Sequence, residues 1–158
     1  MSFPNDRTYS FDANLEFSDN AAAYTASGYL QKGGADGVID LGGNQGTSPA
    51  QQARIDAVAI FDVTALDITS GNETYQIDIV VSNDPAFLTT LAIAGGVQLG
   101  KGASLRVAAT DSVIGRVELG FTNQVCGVTY QYMKAYLTVG GTTPSINIEG
   151  FVAVLAEP

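Results

Sequence analysis

The sequence has no histidine and no tryptophan, one cysteine, and only seven lysines and arginines among its 158 residues. Each shortage removes a class of chemistry. Without histidine there is no imidazole general base, no His-containing catalytic triad and no His-based zinc site. One thiol, Cys126, can form neither an internal disulfide nor a thiolate metal cage. It lies beside Val125 in an apolar stretch with nothing to activate it, so it is expected to be a buried structural thiol. The seven basic residues form no run and are outnumbered by sixteen acidic ones, for a net charge of −9. A phosphate backbone needs clustered cations, so no nucleic-acid partner is expected. No apolar run approaches the roughly 20 residues that cross a bilayer, so no membrane partner is expected either. Residues 1–10 include Asp6 and Arg7 and no apolar core, unlike a signal peptide, which points to synthesis in the cytoplasm.

What is present is the material of β-structure: eighteen glycines, with threonine and valine plentiful. The length suits one domain that buries a core without a disulfide or metal. Residues 1–20 carry Phe3, Tyr9, Phe11, Leu15 and Phe17 with neither a two-residue nor a helical period. They read as an extended N-terminal arm whose aromatics need a surface, either their own domain or a neighbour. Residues 28–37 are turn-rich, Val38-Ile39-Asp40-Leu41 is a short strand, and 42–46 a loop. Ser48 is placed to cap one helical turn over 49–53.

Regular alternation begins at Arg54. Ile55, Ala57, Ala59, Phe61 and Val63 share one face while Val58 and Ile60 make the other apolar, as in a strand buried on both sides. After a turn at 69–72, Tyr75, Ile77, Ile79 and Val81 point inward and Thr74, Gln76, Asp78 and Ser82 outward, and these two strands are expected to form a hairpin-like unit. Ser82-Asn83-Asp84-Pro85 is turn chemistry. Glycines at 95, 96, 100 and 102 are expected to interrupt regular structure until Ser104. Alternation resumes with Val113, Val117, Leu119 and Phe121, followed by closing strands over 130–139 and 145–155. The expected architecture is all-β: a jelly-roll-like two-sheet β-sandwich over 21–158, preceded by the arm.

Little of this carries chemistry. Gly33-Gly34-Ala35-Asp36-Gly37 lacks the spacing of a phosphate-binding loop and precedes a strand. Asp62, Asp67, Glu73 and Asp78 fall at or near the expected hairpin, and a glycosidase needs two carboxyl groups, but scattered carboxylates on an acidic protein usually serve solvation. Asp36 and Asp40 lie near one another in sequence without an EF-hand pattern. No enzyme activity, cofactor or metal site is expected. The more informative signal is aromatic. Tyr130, Tyr132 and Tyr136 occupy one face of a strand whose other face supplies Met133, Leu137 and Val139 to a core, and Phe151 and Leu155 lie opposite Ile148 and Val152. If the two closing strands share a sheet, these rings form an interface outside the sandwich; otherwise another layer covers them.

Several stretches together resemble one family. Leu15-Glu16-Phe17-Ser18-Asp19, Val38-Ile39-Asp40-Leu41-Gly42, the strand and turn Ile77-Asp78-Ile79-Val80-Val81-Ser82-Asn83-Asp84-Pro85-Ala86-Phe87, and the paired closing strands are similar in content and order to the capsid cement, or decoration, proteins of tailed bacteriophages. The resemblance covers about two thirds of the chain; relative to it, 104–128 looks like an insertion with an extra strand. It implies a jelly-roll protein on the outside of the virion that ties together subunits of the major capsid protein, acting as a homo-oligomer, a dimer or trimer. The interface residues expected from the arm and from the outward aromatic faces are Phe3, Tyr9, Phe11, Phe17, Tyr130, Tyr132, Tyr136 and Phe151. The alternative is a carbohydrate- or receptor-binding module of a tail or fibre.

Overall fold

The structure, a computed structural model, describes residues 12–42, 54–101 and 114–154. Phe3, Tyr9, Phe11, the turn at 49–53, Val113 and Leu155 lie outside the described residues. In chain order the strands are β1 (Glu16–Asp19), β2 (Gly28–Tyr29), β3 (Gln31–Lys32), β4 (Ala35–Asp36), β5 (Ile39–Asp40), β6 (Asp56–Leu66) and β7 (Thr74–Ser82). They continue with β8 (Ala92–Gly100), β9 (Gly115–Thr122), β10 (Gln124–Val125), β11 (Val128–Thr129), β12 (Tyr132–Gly140) and β13 (Ile146–Val154). The first main sheet runs β1-β13-β6-β9 and the second β2-β12-β7-β8, with β5 also pairing β12. All pairings among the described strands are antiparallel.

The path identifies the fold. Successive main strands alternate between sheets, except that β7 and β8 stay together, and the last two return beside the first two. That is the path of a jelly roll. The alternation seen in sequence fills the space between the sheets: Tyr75, Ile77, Ile79 and Val81 meet Ala57, Ala59, Phe61 and Val63 in one buried cluster. As expected, β6 is buried on both faces, and on its outer side Val58 and Ile60 join Phe151 and Ala153 in a second cluster.

Four sequence expectations are corrected. First, β6 and β7 belong to different sheets. The seven residues between them, 67–73, are long enough to cross the ~10 Å sandwich. The buried Tyr75 hydroxyl donates to the Asp67 carbonyl and accepts from the Ser145 amide, which pins this crossing. Second, Gly95, Gly96 and Gly100 lie inside β8. A Cβ on Gly96 would stand 2.3 Å from Asp78 Oδ1 and 2.7 Å from Gln76 Nε2, so the bare backbone there leaves room for the hydrogen-bonded Asp78–Gln76 pair as placed.

Third, the segment read as an insertion supplies β9, an integral strand of the first sheet; the β10–β11 hairpin is the addition to the jelly roll. Cys126 stands at the tip of that hairpin, exposed rather than buried, in a left-handed conformation with Gly127 (φ 50° and 81°). Two consecutive positive φ values suit the tight turn but turn the thiol away from the core. Fourth, the arm contributes β1, an edge strand, and Phe17 is a core residue with no exposed surface, stacked on Phe61 with ring centroids 6.3 Å apart. A four-residue strand with a register shift between Glu16 and Ser18 is too short and irregular to display a period.

Candidate functional site

The outer face of the second sheet holds the site. Register places Tyr29 of β2 opposite Tyr136 of β12, Tyr136 opposite Asp78 of β7, and Asp78 opposite Gly96 of β8, so one row crosses all four strands. The next row on this face brings together Lys134, Val80 and Ile93. Between these rows and the incoming end of β8 is a groove of about 360 Å³, lined by Tyr29, Asp78, Val80, Leu91, Ala92, Ile93 and Tyr136. Its volume is within the range of small-ligand and side-chain pockets. Leu91 and Ile93 are 50% and 60% exposed, and Leu88 in the adjoining loop is 81% exposed.

Local sequence explains how the walls are held. The Tyr29 and Tyr136 rings meet edge to face, 5.1 Å apart at 85°, a favoured aromatic geometry. Asp84 organises the 83–91 loop, accepting from the amides of Ala86, Leu88 and Thr89, and Ser82 Oγ donates to the Thr89 carbonyl. Those amides hold the Asp84 carboxyl below its ordinary value. The loop sets Phe87 at a positive φ of 55°, with its ring edge-on to Tyr29. Lys134 lies beneath. It is 6% exposed, its ammonium 2.9 Å from Asp36 Oδ2 and 4.5 and 4.6 Å from the centres of the Tyr29 and Phe87 rings. Burying a cation on this side is tolerable because a carboxylate and two ring faces replace water.

Asp78 contrasts with Lys134. Among the described residues it accepts one hydrogen bond, from Gln76 Nε2 at 2.8 Å, and forms no ion pair. An anionic oxygen is therefore available at the edge of an apolar groove.

Of the expected interface aromatics, Tyr136 lines the groove, and Tyr132 is half-buried two residues before Lys134 on the same face, opposite Asp40 and Ser82. Tyr130 is a correction: it precedes β12 and packs against the main core, its amide donating to the Asn123 carbonyl and its carbonyl accepting from Asn123 Nδ2. Phe151 is also corrected. It does lie opposite Ile148 and Val152, but β12 and β13 are in different sheets, so it is buried on the far side of the sandwich from Tyr136. The expected single aromatic surface does not form.

The groove instead draws on Tyr29, Leu91, Ile93 and Asp78, with Phe87 packed edge-on to Tyr29, none of which the sequence marks as an interface residue. The outward position of Asp78 on a clean alternating strand is visible in sequence; the strands that flank it are not. The carboxylates expected to group near one hairpin are dispersed. Asp62 takes a two-bond ion pair from Arg116 on the first sheet, Asp67 and Glu73 are in the crossing segment, and Asp78 is on the second sheet. Asp36 is bound to Lys134, and Asp40 accepts from Gln131 and Gly42. Among the described residues no three acidic, cysteine or histidine side chains come together to hold a metal ion. Compared with known proteins, the chain matches no family model and no curated sequence.

Proposed function

We propose that this chain is a non-enzymatic structural protein of a virion, a cement or decoration protein that docks on the major capsid protein through the outer face of its second sheet. The observation that carries the reading is the groove with its open apolar rim. Leu88, Leu91 and Ile93 stand in water around it, where an exposed apolar patch marks an interaction surface. Of the family-like stretches, Leu15 to Asp19 and the last closing strand lie in the first sheet, as β1 and β13, and the other three lie in the second. Val38 to Gly42 contains β5, Ile77 to Phe87 is most of β7 with its turn, and the closing Tyr132 to Val139 is β12; all three are neighbours in the second sheet. Many copies on one particle, as dimers or trimers, make modest single contacts sufficient. The test is co-sedimentation with purified capsids, together with mass spectrometry of intact virions. Absence from virions and no binding to capsids overturns the proposal.

A carbohydrate-binding module is the second reading, and one observation favours it: the perpendicular Tyr29 and Tyr136 rings stand beside the hydrogen-bonded Asp78–Gln76 pair, a platform with polar groups at its edge. A glycan array discriminates, since a cement protein gives no specific signal there.

A further inference from the structure

We propose that the groove takes an arginine side chain presented by a protein partner, its guanidinium pairing with Asp78 and lying against Tyr136 while its stem runs along Val80, Leu91 and Ile93. The argument begins with Asp78. It is a carboxylate at the edge of a mainly apolar groove, holding one neutral hydrogen bond and no cation among the described residues. An occupant that covers it must supply a donor, and a cation supplies the strongest. The site already contains a precedent, because the ammonium of Lys134 rests on the opposing carboxylate of Asp36 and the rings of Tyr29 and Phe87.

The remaining wall offers the same pairing, one carboxylate and the aromatic Tyr136, to a cation from outside. A planar, weakly hydrated guanidinium suits a carboxylate beside a ring better than a compact ammonium does. The apolar rim, Leu88, Leu91 and Ile93, calls for the body of a macromolecule around that side chain rather than a small free cation. A second copy of this chain is a poor source: both arginines among the described residues, Arg54 and Arg116, are already in ion pairs, and two copies that each carry a net charge of −9 repel one another. The partner is therefore a different protein with an exposed arginine. Its identity as the capsid rests on the function proposed above; the arginine site does not.

The experiment titrates the isotope-labelled full chain with blocked Gly-Arg-Gly and with the same peptide carrying citrulline, an uncharged isostere, followed by NMR. Saturable shifts are expected at Tyr29, Tyr136, Leu91 and Ile93 for the arginine peptide, with citrulline at least about tenfold weaker. Asp78→Asn, which keeps the Gln76 hydrogen bond, should cause a similar loss, and added salt should weaken only the arginine complex. Equal binding of citrulline, indifference to Asp78→Asn, or no saturable shift in the groove at tens of millimolar peptide overturns the proposal. Shifts produced there by an oligosaccharide and not by arginine also overturn it. No capsid is present, so failure here is distinct from failure of the cement reading. Capsid binding that survives Asp78→Asn keeps that reading and removes the groove from it.

Discussion

Replacing Phe17 with alanine separates two roles for the N-terminal segment. The ring has no exposed surface and stacks on Phe61 at 6.3 Å, so its removal loses transfer energy and leaves a cavity, typically about 3–5 kcal/mol for Phe→Ala. Phe17 lies in β1, a four-residue edge strand, which can relax into the space, so the lower end, about 3 kcal/mol, is expected. For a chain of this size that lowers the thermal midpoint by about 6–12 °C, and with a urea slope near 2 kcal/mol/M it lowers the urea midpoint by about 1.5 M. Phe17→Leu keeps most of the volume and should cost less than about 1.5 kcal/mol. The assay is urea unfolding followed by circular dichroism at two protein concentrations far apart. If Phe17 fills its own core, the loss is the same at both. Unchanged monomer stability, or a loss that appears only where the protein is associated, refutes the assignment and returns Phe17 to an intermolecular interface.

Gly37→Ala should be more disruptive than its size suggests, because the new Cβ would lie 2.0 Å from the Phe17 carbonyl oxygen and backbone has no room to move. Thermal unfolding should show a loss of about 3 kcal/mol, whereas Gly28→Ala, with nothing within 4 Å, should stay within about 0.5 kcal/mol of the parent. Cys126 should react with a thiol reagent as fast in the native protein as in urea, and Cys126→Asn should raise stability by about 0.5 kcal/mol, since Asn-Gly suits the positive φ pair at 126–127. Lys134→Met keeps the buried stem but loses the Asp36 pair and both ring contacts, at about 1 kcal/mol by denaturant titration. Asp19, Asp67 and Asp84 are each held below their ordinary value of 3.8 by backbone amides. Their contribution is complete above that value and is lost as pH falls through the lower folded values. Acid titration should therefore melt the loop at 83–91 below about pH 4, earlier by hydrogen exchange than the β6–β13 pairing.

Side-chain alternation makes the core legible in the sequence. The inward residues of β7 and β12 and the doubly buried β6 are readable because a period of two needs only local sequence. Pairing is not. Whether β6 meets β7 or β13 depends on where the 67–73 segment takes the chain, and the Tyr75 contacts that fix this reach to residues 67 and 145. Glycine misleads for a related reason: Gly96 looks like a strand breaker alone, and the room it leaves for the Asp78 side chain is visible only once β7 is opposite. The groove is half legible. Tyr136 and outward-facing Asp78 are visible on their own strands, but Tyr29 sits in a two-residue strand and Phe87 in a loop shaped by Asp84, so no period announces either.

The two outer faces also differ in a way that bears on the proposed recognition. On the first sheet Val58, Ile60, Phe151 and Ala153 are already buried and Asp62 is matched by Arg116, so an arriving surface finds little apolar area to cover at the centre of that face. On the second, Leu91 and Ile93 are still in water and Asp78 has no counterion among the described residues. Apolar burial alone would favour many partners there, since it is non-directional. Asp78 restricts them: a partner that covers the groove without a donor leaves a desolvated carboxylate, at a cost that cancels much of the apolar gain. In the proposed complex affinity would thus come from the rim and discrimination from the carboxylate, because rejecting wrong partners needs an element that penalises them. Lys134 reinforces this division. Its charge is consumed internally by Asp36, which leaves Asp78, among the described residues, as the groove charge without a counterion.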